Sequence, residues 1–182
     1  AEQKDPDLRL NAESSAALAR AWNDDLADAQ TRYEALTRAA PNNPYLHAQL
    51  AYVYLWRGWP RRARDEFRIG RAIEPEVLSN HLGEIDAERA TNDFAAAAPK
   101  IADLIARYPD DNDVGKLQRS WTIHNMRELW IQASGTHSTG TQFGSRDLEL
   151  ETYLYSQPLR LNYRVYGHGY LGQSTFPEGT AT

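Results

Sequence analysis

The chain has 182 residues, 25 acidic and 20 basic side chains for a net charge of −5, and 41% hydrophobic content, enough to bury a core in one or two domains. No apolar stretch approaches the roughly 20 residues of a membrane-spanning helix, and no basic stripe is available to displace counterions from duplex nucleic acid. Zero cysteines exclude disulfides, zinc–thiolate sites and thiol nucleophiles. The opening Ala1-Glu2-Gln3-Lys4-Asp5-Pro6 lacks the apolar region of a signal peptide. That fits either a cytoplasmic protein or a mature or excised piece.

Three prolines, Pro41, Pro75 and Pro109, recur every 34 residues. Counting back from each, Ala29, Ala63 and Ala97 lie twelve before, Tyr33, Phe67 and Ile101 eight before, and Leu36, Gly70 and Leu104 five before. The turns Asn23-Asp24-Asp25, Arg57-Gly58-Trp59 and Thr91-Asn92-Asp93 precede each second helix. This period and pattern resemble the tetratricopeptide repeat, two antiparallel helices with small residues where they cross and a closing proline. The middle repeat fits best, with Leu50-Ala51 and Tyr54 on the first-helix sites and His47 where Trp is preferred. In the third repeat Glu84, Ile85 and Glu88 occupy the Leu, small and Tyr sites, and Pro99 is expected to kink or shorten the second helix.

Stacked hairpins would align each first helix along a concave groove. By the geometry of such repeats it would expose Trp22, Tyr45, Tyr52, Trp56, Asp86 and Arg89. Aromatics with a few charges suit a peptide, a partner helix or a sugar chain; alternatively Trp22 and Trp56 pack between repeats.

A further helix is predicted from about Asp113 to Arg127, capping the solenoid, and past Glu128 the period switches to two. Three alternating segments follow: Leu129 to Thr136, Arg146 to Tyr155, and Leu159 to Leu171. In the second, Leu148, Leu150, Thr152 and Leu154 take one face and Asp147, Glu149, Glu151, Tyr153 and Tyr155 the other. A polar linker, Gly135 to Ser145, and a tight turn at Ser156-Gln157-Pro158 join them. The alternation fits a transmembrane β-barrel or an amphipathic soluble sheet equally. Three strands cannot close a barrel, so the first reading makes the chain a fragment. The expected fold class is therefore α + β, an α-solenoid over 1–128 followed by antiparallel strands over 129–182.

Repeats running straight into such strands resemble the outer-membrane exporters of bacterial exopolysaccharides. The run from Ser145 to Leu159 (SRDLELETYLYSQPL) is similar to the start of the barrel in the export porins of poly-β-1,6-N-acetyl-D-glucosamine, the PgaA/HmsH family, and the later Phe176-Pro177-Glu178-Gly179 is similar to that family too. The resemblance implies export of a partly deacetylated polymer across the outer membrane. It also implies a lipid-embedded barrel, periplasmic repeats that dock a lipoprotein deacetylase, and no cofactor. Asp147, Glu149 and Glu151 would then face a wet lumen and attract an amine-bearing chain, with Tyr153 and Tyr155 as stacking rings. Otherwise the acids solvate the lumen or pair with Arg160 and Arg164. The competing assignments are a soluble repeat scaffold for partner peptides and the related cellulose exporter.

Catalytic chemistry is not expected. Glu149 and Glu151 are roughly 7 Å apart on one strand, on the same side of any sugar, which is the wrong geometry for a two-faced glycosidase pair. His47, His81, His124, His137 and His168 show no metal-ligand spacing, and no phosphate loop or nucleophile elbow occurs.

Overall fold

The computed structural model describes residues 6–138 and 145–175, and the chain divides into two compact units, 1–118 and 119–182. Phe176-Pro177-Glu178-Gly179 lies outside the described residues.

The first unit is built from antiparallel helix pairs: α1 (Pro6–Trp22) with α2 (Leu26–Ala39), α3 (Pro44–Trp56) with α4 (Pro60–Ile73), and α5 (Leu78–Ala90) with α6 (Phe94–Arg107). A seventh helix, α7 (Asn112–His124), follows. Each pair is joined by the same turn. Asp24, Gly58 and Asn92, spaced 34 residues apart, have φ of 63°, 75° and 58°, the left-handed region that only Gly, Asn and Asp enter readily. The next residue in each, Asp25, Trp59 and Asp93, donates its N–H back to Arg20, Tyr54 and Glu88 at 3.0, 2.8 and 2.8 Å, satisfying carbonyls at the helix end. Asp25, Asn43 and Asp93 then cap the following helices through their side chains, and Pro44 and Pro60 sit in the first turn, where the missing N–H costs nothing.

The residues picked out by the 34-residue period form the core. Ala29, Ala63, Ala97, Tyr33, Phe67 and Ile101 are all fully buried. The closeness of the stack is set by absent side chains: a Cβ on Gly83 would come within 2.2 Å of the Phe67 ring, and one on Gly70 within 2.5 Å of Asn80 Oδ1. His47, at the site that prefers Trp, is buried with its nitrogens 2.7 Å from Glu66 Oε2 and 2.9 Å from the Pro41 carbonyl. Helix α6 runs its full 14 residues through Pro99, so the proline does not shorten it. Pro99 is the sixth residue of the helix and exposed, so its missing N–H leaves only the Ala95 carbonyl without its intrahelical partner.

The third repeat replaces two apolar consensus sites with Glu84 and Glu88, which are 1% and 0% exposed. Their carboxylates are held by α4 and α6. Arg68 reaches Glu84 at 2.9 Å and Glu88 at 3.4 Å, Arg71 reaches Glu84 at 2.8 Å, and Lys100 contacts Glu84 at 2.6 Å and also Glu88. Burial pushes the Glu84 carboxyl up, but the hydrogen bonds and charges of Lys100, Arg68 and Arg71 more than offset it, and its pKa lies below the ordinary value.

In the second unit β1 (Glu128–Ser138), β2 (Ser145–Tyr155) and β3 (Tyr166–Thr175) form an antiparallel sheet in the order β1-β2-β3. The register pairs Trp130 with Tyr153 and Ser134 with Glu149 on one side, and Tyr153 with His168 and Glu149 with Gly172 on the other. The third strand starts at Tyr166, later than the alternation of Leu159 to Leu171 suggests. Pro158 has no N–H for a ladder, and Arg160 and Leu161 take φ of 50° and 69°, folding a small loop closed by a Leu159–Tyr163 bridge. The connection is thus 156–165 rather than a tight turn. It is tied to the end of α7: Arg164 donates to the His124 carbonyl at 2.7 Å and lies 3.5 Å from Glu128, while His124 Nε2 is 3.2 Å from the Leu161 carbonyl.

Lys100→Ala removes a cation shared by two buried carboxylates and is expected to destabilise the repeat unit by about 3 kcal/mol, read as a lower midpoint in chemical denaturation. Because the folded Glu84 value is depressed, its contribution is complete above the unfolded pKa of about 4.3 and is lost as pH falls through the folded value. A wild-type acid transition unchanged by Glu84→Gln would contradict this.

Candidate functional site

Two surfaces carry the residues singled out in the sequence. The first is the polar face of the sheet. Asp147, Glu149, Glu151, Tyr153 and Tyr155 alternate along β2 and so share one face, and the pairing register brings Trp130, Gln132 and Ser134 of β1 and Tyr166, His168 and Tyr170 of β3 onto it. Tyr153 is the hub: its ring centre lies 4.2 Å from His168 in a stacked arrangement, 5.3 Å from Trp130 and 6.2 Å from both Tyr155 and Tyr166. Toward the other end of the strand the acids take over. Glu149 accepts from Ser134 Oγ at 3.2 Å and Tyr170 Oη at 3.4 Å, and Asp147 accepts from Ser145 Oγ at 2.8 Å.

Among the described residues none of these three carboxylates forms an ion pair. Arg164, a candidate partner from the sequence, is committed to Glu128 and the His124 carbonyl instead. The face therefore keeps its negative charge and offers rings beside it. The opposite face is apolar and open, with Leu129, Ile131, Leu148, Leu154 and Leu171 between 56% and 70% exposed. A soluble protein would cover such a face.

The second surface is the line of first helices. Trp22 at the end of α1 is 76% exposed and Trp56 at the end of α3 48%, so neither is packed away between repeats. Tyr52 lies against Trp56 with ring centres 6.2 Å apart and meets the buried Phe67 edge-on at 5.0 Å. Tyr45 is 59% exposed, at the opposite end of α3 from Trp56. Asp86 and Arg89 pair across one helical turn at 3.6 Å. Burial pushes the Tyr52 phenol up, as do the charges of Asp86 and Asp113. Although half of the Asp86 side chain stays open, burial on the protein side raises its carboxyl, and Arg89 pulls it partly back. Tyr52, Trp56, Asp86 and Arg89 are thus linked by ring and charge interactions that extend to Asp113, while among the described residues Trp22 and Tyr45 show no ring partner.

The alternation of the third segment already puts Tyr166, His168 and Tyr170 on its polar side, with His168 toward the lumen in a barrel. Trp130 was not legible as a site residue, because its place opposite Tyr153 depends on strand register.

Comparison with known proteins agrees with both halves. The repeats share their fold with the tetratricopeptide domain of Arabidopsis OM64, at TM-score 0.57 and 12% identity over 63% of this chain and 95% of that one. They match equally the Yersinia enterocolitica secretion chaperone SycD, solved with a peptide of the translocator YopD, at TM-score 0.58 and 12% identity over 68% and 92%. Residues 123–182 match the model of the PgaA membrane beta barrel domain. The chain is 32% identical over 175 residues to the poly-beta-1,6-N-acetyl-D-glucosamine export protein of Escherichia coli K12, covering 95% of this chain and 22% of that protein. The strain O157:H7 protein matches to the same extent.

A tetratricopeptide-like segment thus leads into antiparallel strands with one apolar and one polar face. Residues 123–182 are similar to the PgaA membrane beta barrel domain, and the chain spans about a fifth of the length of the curated export proteins it matches.

Arg89→Met removes the positive charge that opposes burial at Asp86, so the Asp86 carboxyl is expected to titrate at still higher pH, followed by carbon-13 NMR of the side chain. An unchanged midpoint would show that the pair at 3.6 Å carries no interaction in solution.

Proposed function

We propose that this chain is the junction of an outer-membrane exporter. In this reading residues 1–128 are periplasmic repeats, and 129–182 begin the barrel through which partly deacetylated poly-β-1,6-N-acetyl-D-glucosamine leaves the cell. The observation that carries the reading is the unneutralised face of Asp147, Glu149 and Glu151 with the Tyr153 ring cluster, on strands of the barrel family.

Deacetylated units bear ammonium groups, which carboxylates attract and which sit favourably over aromatic rings. Tyr153 and Tyr155 offer platforms for sugar faces, and the carboxylates follow at roughly 7 Å intervals along the strand. Several weak, evenly spaced sites suit a chain that must enter and also leave. A neutral polymer such as cellulose would gain little from the acids. Leu129, Ile131, Leu148, Leu154 and Leu171 would face lipid, and strands of 10 or 11 residues are long enough to cross when tilted. Trp22, Tyr45, Tyr52, Trp56, Asp86 and Arg89 form the surface on which a periplasmic partner, the polymer-deacetylating lipoprotein, would dock. Transport in this scheme makes and breaks no bond, so it needs neither catalyst nor cofactor.

Deleting the gene should deplete hexosamine polymer at the cell surface and accumulate it in the periplasm. Normal surface polymer would overturn the assignment. The combined variant Asp147→Asn, Glu149→Gln, Glu151→Gln should slow release by roughly five-fold or more while the protein reaches the membrane at its usual level. Unaltered release in that variant would remove the electrostatic role and leave export itself standing.

A further inference from the structure

We propose that the turn joining α3 to α4 is a docking surface for an acidic segment of a partner protein, separate from the groove and from the sheet. In a chain of net charge −5, residues 57–64 hold Arg57, Arg61, Arg62 and Arg64 and no acid. The arrangement is organised by rings. The Arg57 guanidinium lies 4.3 Å from the centre of the Trp59 indole and that of Arg62 lies 5.0 Å from it, also reaching to 5.9 Å from Tyr54. Tyr54 and Trp59 are 5.9 Å apart. Stacking on an aromatic face orders an arginine while leaving its edge donors free.

The acids near this cluster are engaged elsewhere. Glu34 accepts from Tyr54 Oη at 3.0 Å, Glu66 lies 2.7 Å from His47, and Asp65 is 3.8 Å from Arg64. Arg57 donates to the neutral amide oxygen of Gln30. Arg61 and Arg62, both exposed, form no ion pair among the described residues.

Arg61 and Arg62 line a cleft of about 450 Å³ together with Trp59 and Pro60 and, from the next repeat's turn, Thr91 and Asn92. Its shape and charge select the occupant. Rigid guanidinium forks match carboxylates in two-point contact, and the cleft takes an apolar side chain beside them. A membrane surface is better met by a broad spread of flexible cations, and an amine-bearing polymer would be repelled. The partner is therefore an acidic stretch containing an aromatic or proline residue.

The probe is a fluorescein-labelled peptide with four glutamates flanking a Pro–Phe pair, titrated by anisotropy against the full chain in detergent, beside its all-glutamine counterpart. The glutamate peptide should bind at least about ten-fold more tightly than the glutamine one, and Arg61→Glu with Arg62→Glu should abolish that margin. Both positions are exposed, so far-ultraviolet circular dichroism should be unchanged. Arg61→Lys with Arg62→Lys should keep part of the affinity, and Trp59→Ala should lose it with the charge intact. Equal binding of the two peptides, or binding unaffected by charge reversal, overturns the proposal. So does a charge-reversal effect confined to phosphatidylglycerol vesicles, which would assign the patch to lipid.

Discussion

A helix hairpin has one apolar stripe and can bury it only against another hairpin. Every other feature of the repeat unit follows from meeting that constraint at a fixed spacing. The left-handed residue at positions 24, 58 and 92 turns the chain back within three residues, and the alanines at 29, 63 and 97 let the two helices touch. The glycines at 70 and 83 then admit Asn80 and the Phe67 ring, in space a Cβ would fill. The period is thus a packing distance written in residues.

The sheet solves the opposite problem. Its strands have no core to cover: β1 and β3 are exposed throughout, and β2 is exposed or half-buried. The alternation sorts side chains for two different surroundings, leucine and isoleucine for one and acid, tyrosine and histidine for the other. That sorting makes the barrel assignment and the transport proposal one physical argument. In that proposal the pleat that would turn the leucines to lipid would also turn the carboxylates to the interior.

The repeats were readable almost residue by residue because local rules and long-range packing agree there: the proline period, the turn residues and the small residues all mark one unit. The second strand was readable for a similar reason, since strict alternation fixes faces whatever the strand pairs with. Legibility ended where two segments had to be aligned. Nothing in the residues around 139–144 or 156–165 fixes a register, so the pairing of Trp130 with Tyr153 and of Tyr153 with His168 could not be foreseen. The loop at Arg160 and Leu161 was equally hidden, because bulky residues at positive φ carry no sequence signature. Glu84 and Glu88 read as departures from the repeat pattern; only the positions of Arg68, Arg71 and Lys100 explain how two acids can lie in a core.

That buried charge cluster also bears on how the array assembles. Tandem hairpins of one shape are prone to mispairing, because any hairpin can in principle stack on the wrong neighbour. In the native stack α5 lays its two carboxylates against Arg68 and Arg71 of α4. Slipped by one unit onto α2, it would meet the residues 34 positions earlier, Glu34 and Thr37. Arg68 would give way to the like charge of Glu34 and Arg71 to the neutral Thr37, so the two buried carboxylates would keep only Lys100, at a cost of several kcal/mol. The two acids that spoil the consensus therefore act as a key. Hairpins that are interchangeable in shape are distinguished by charge, and the third closes more favourably on the second than on the first.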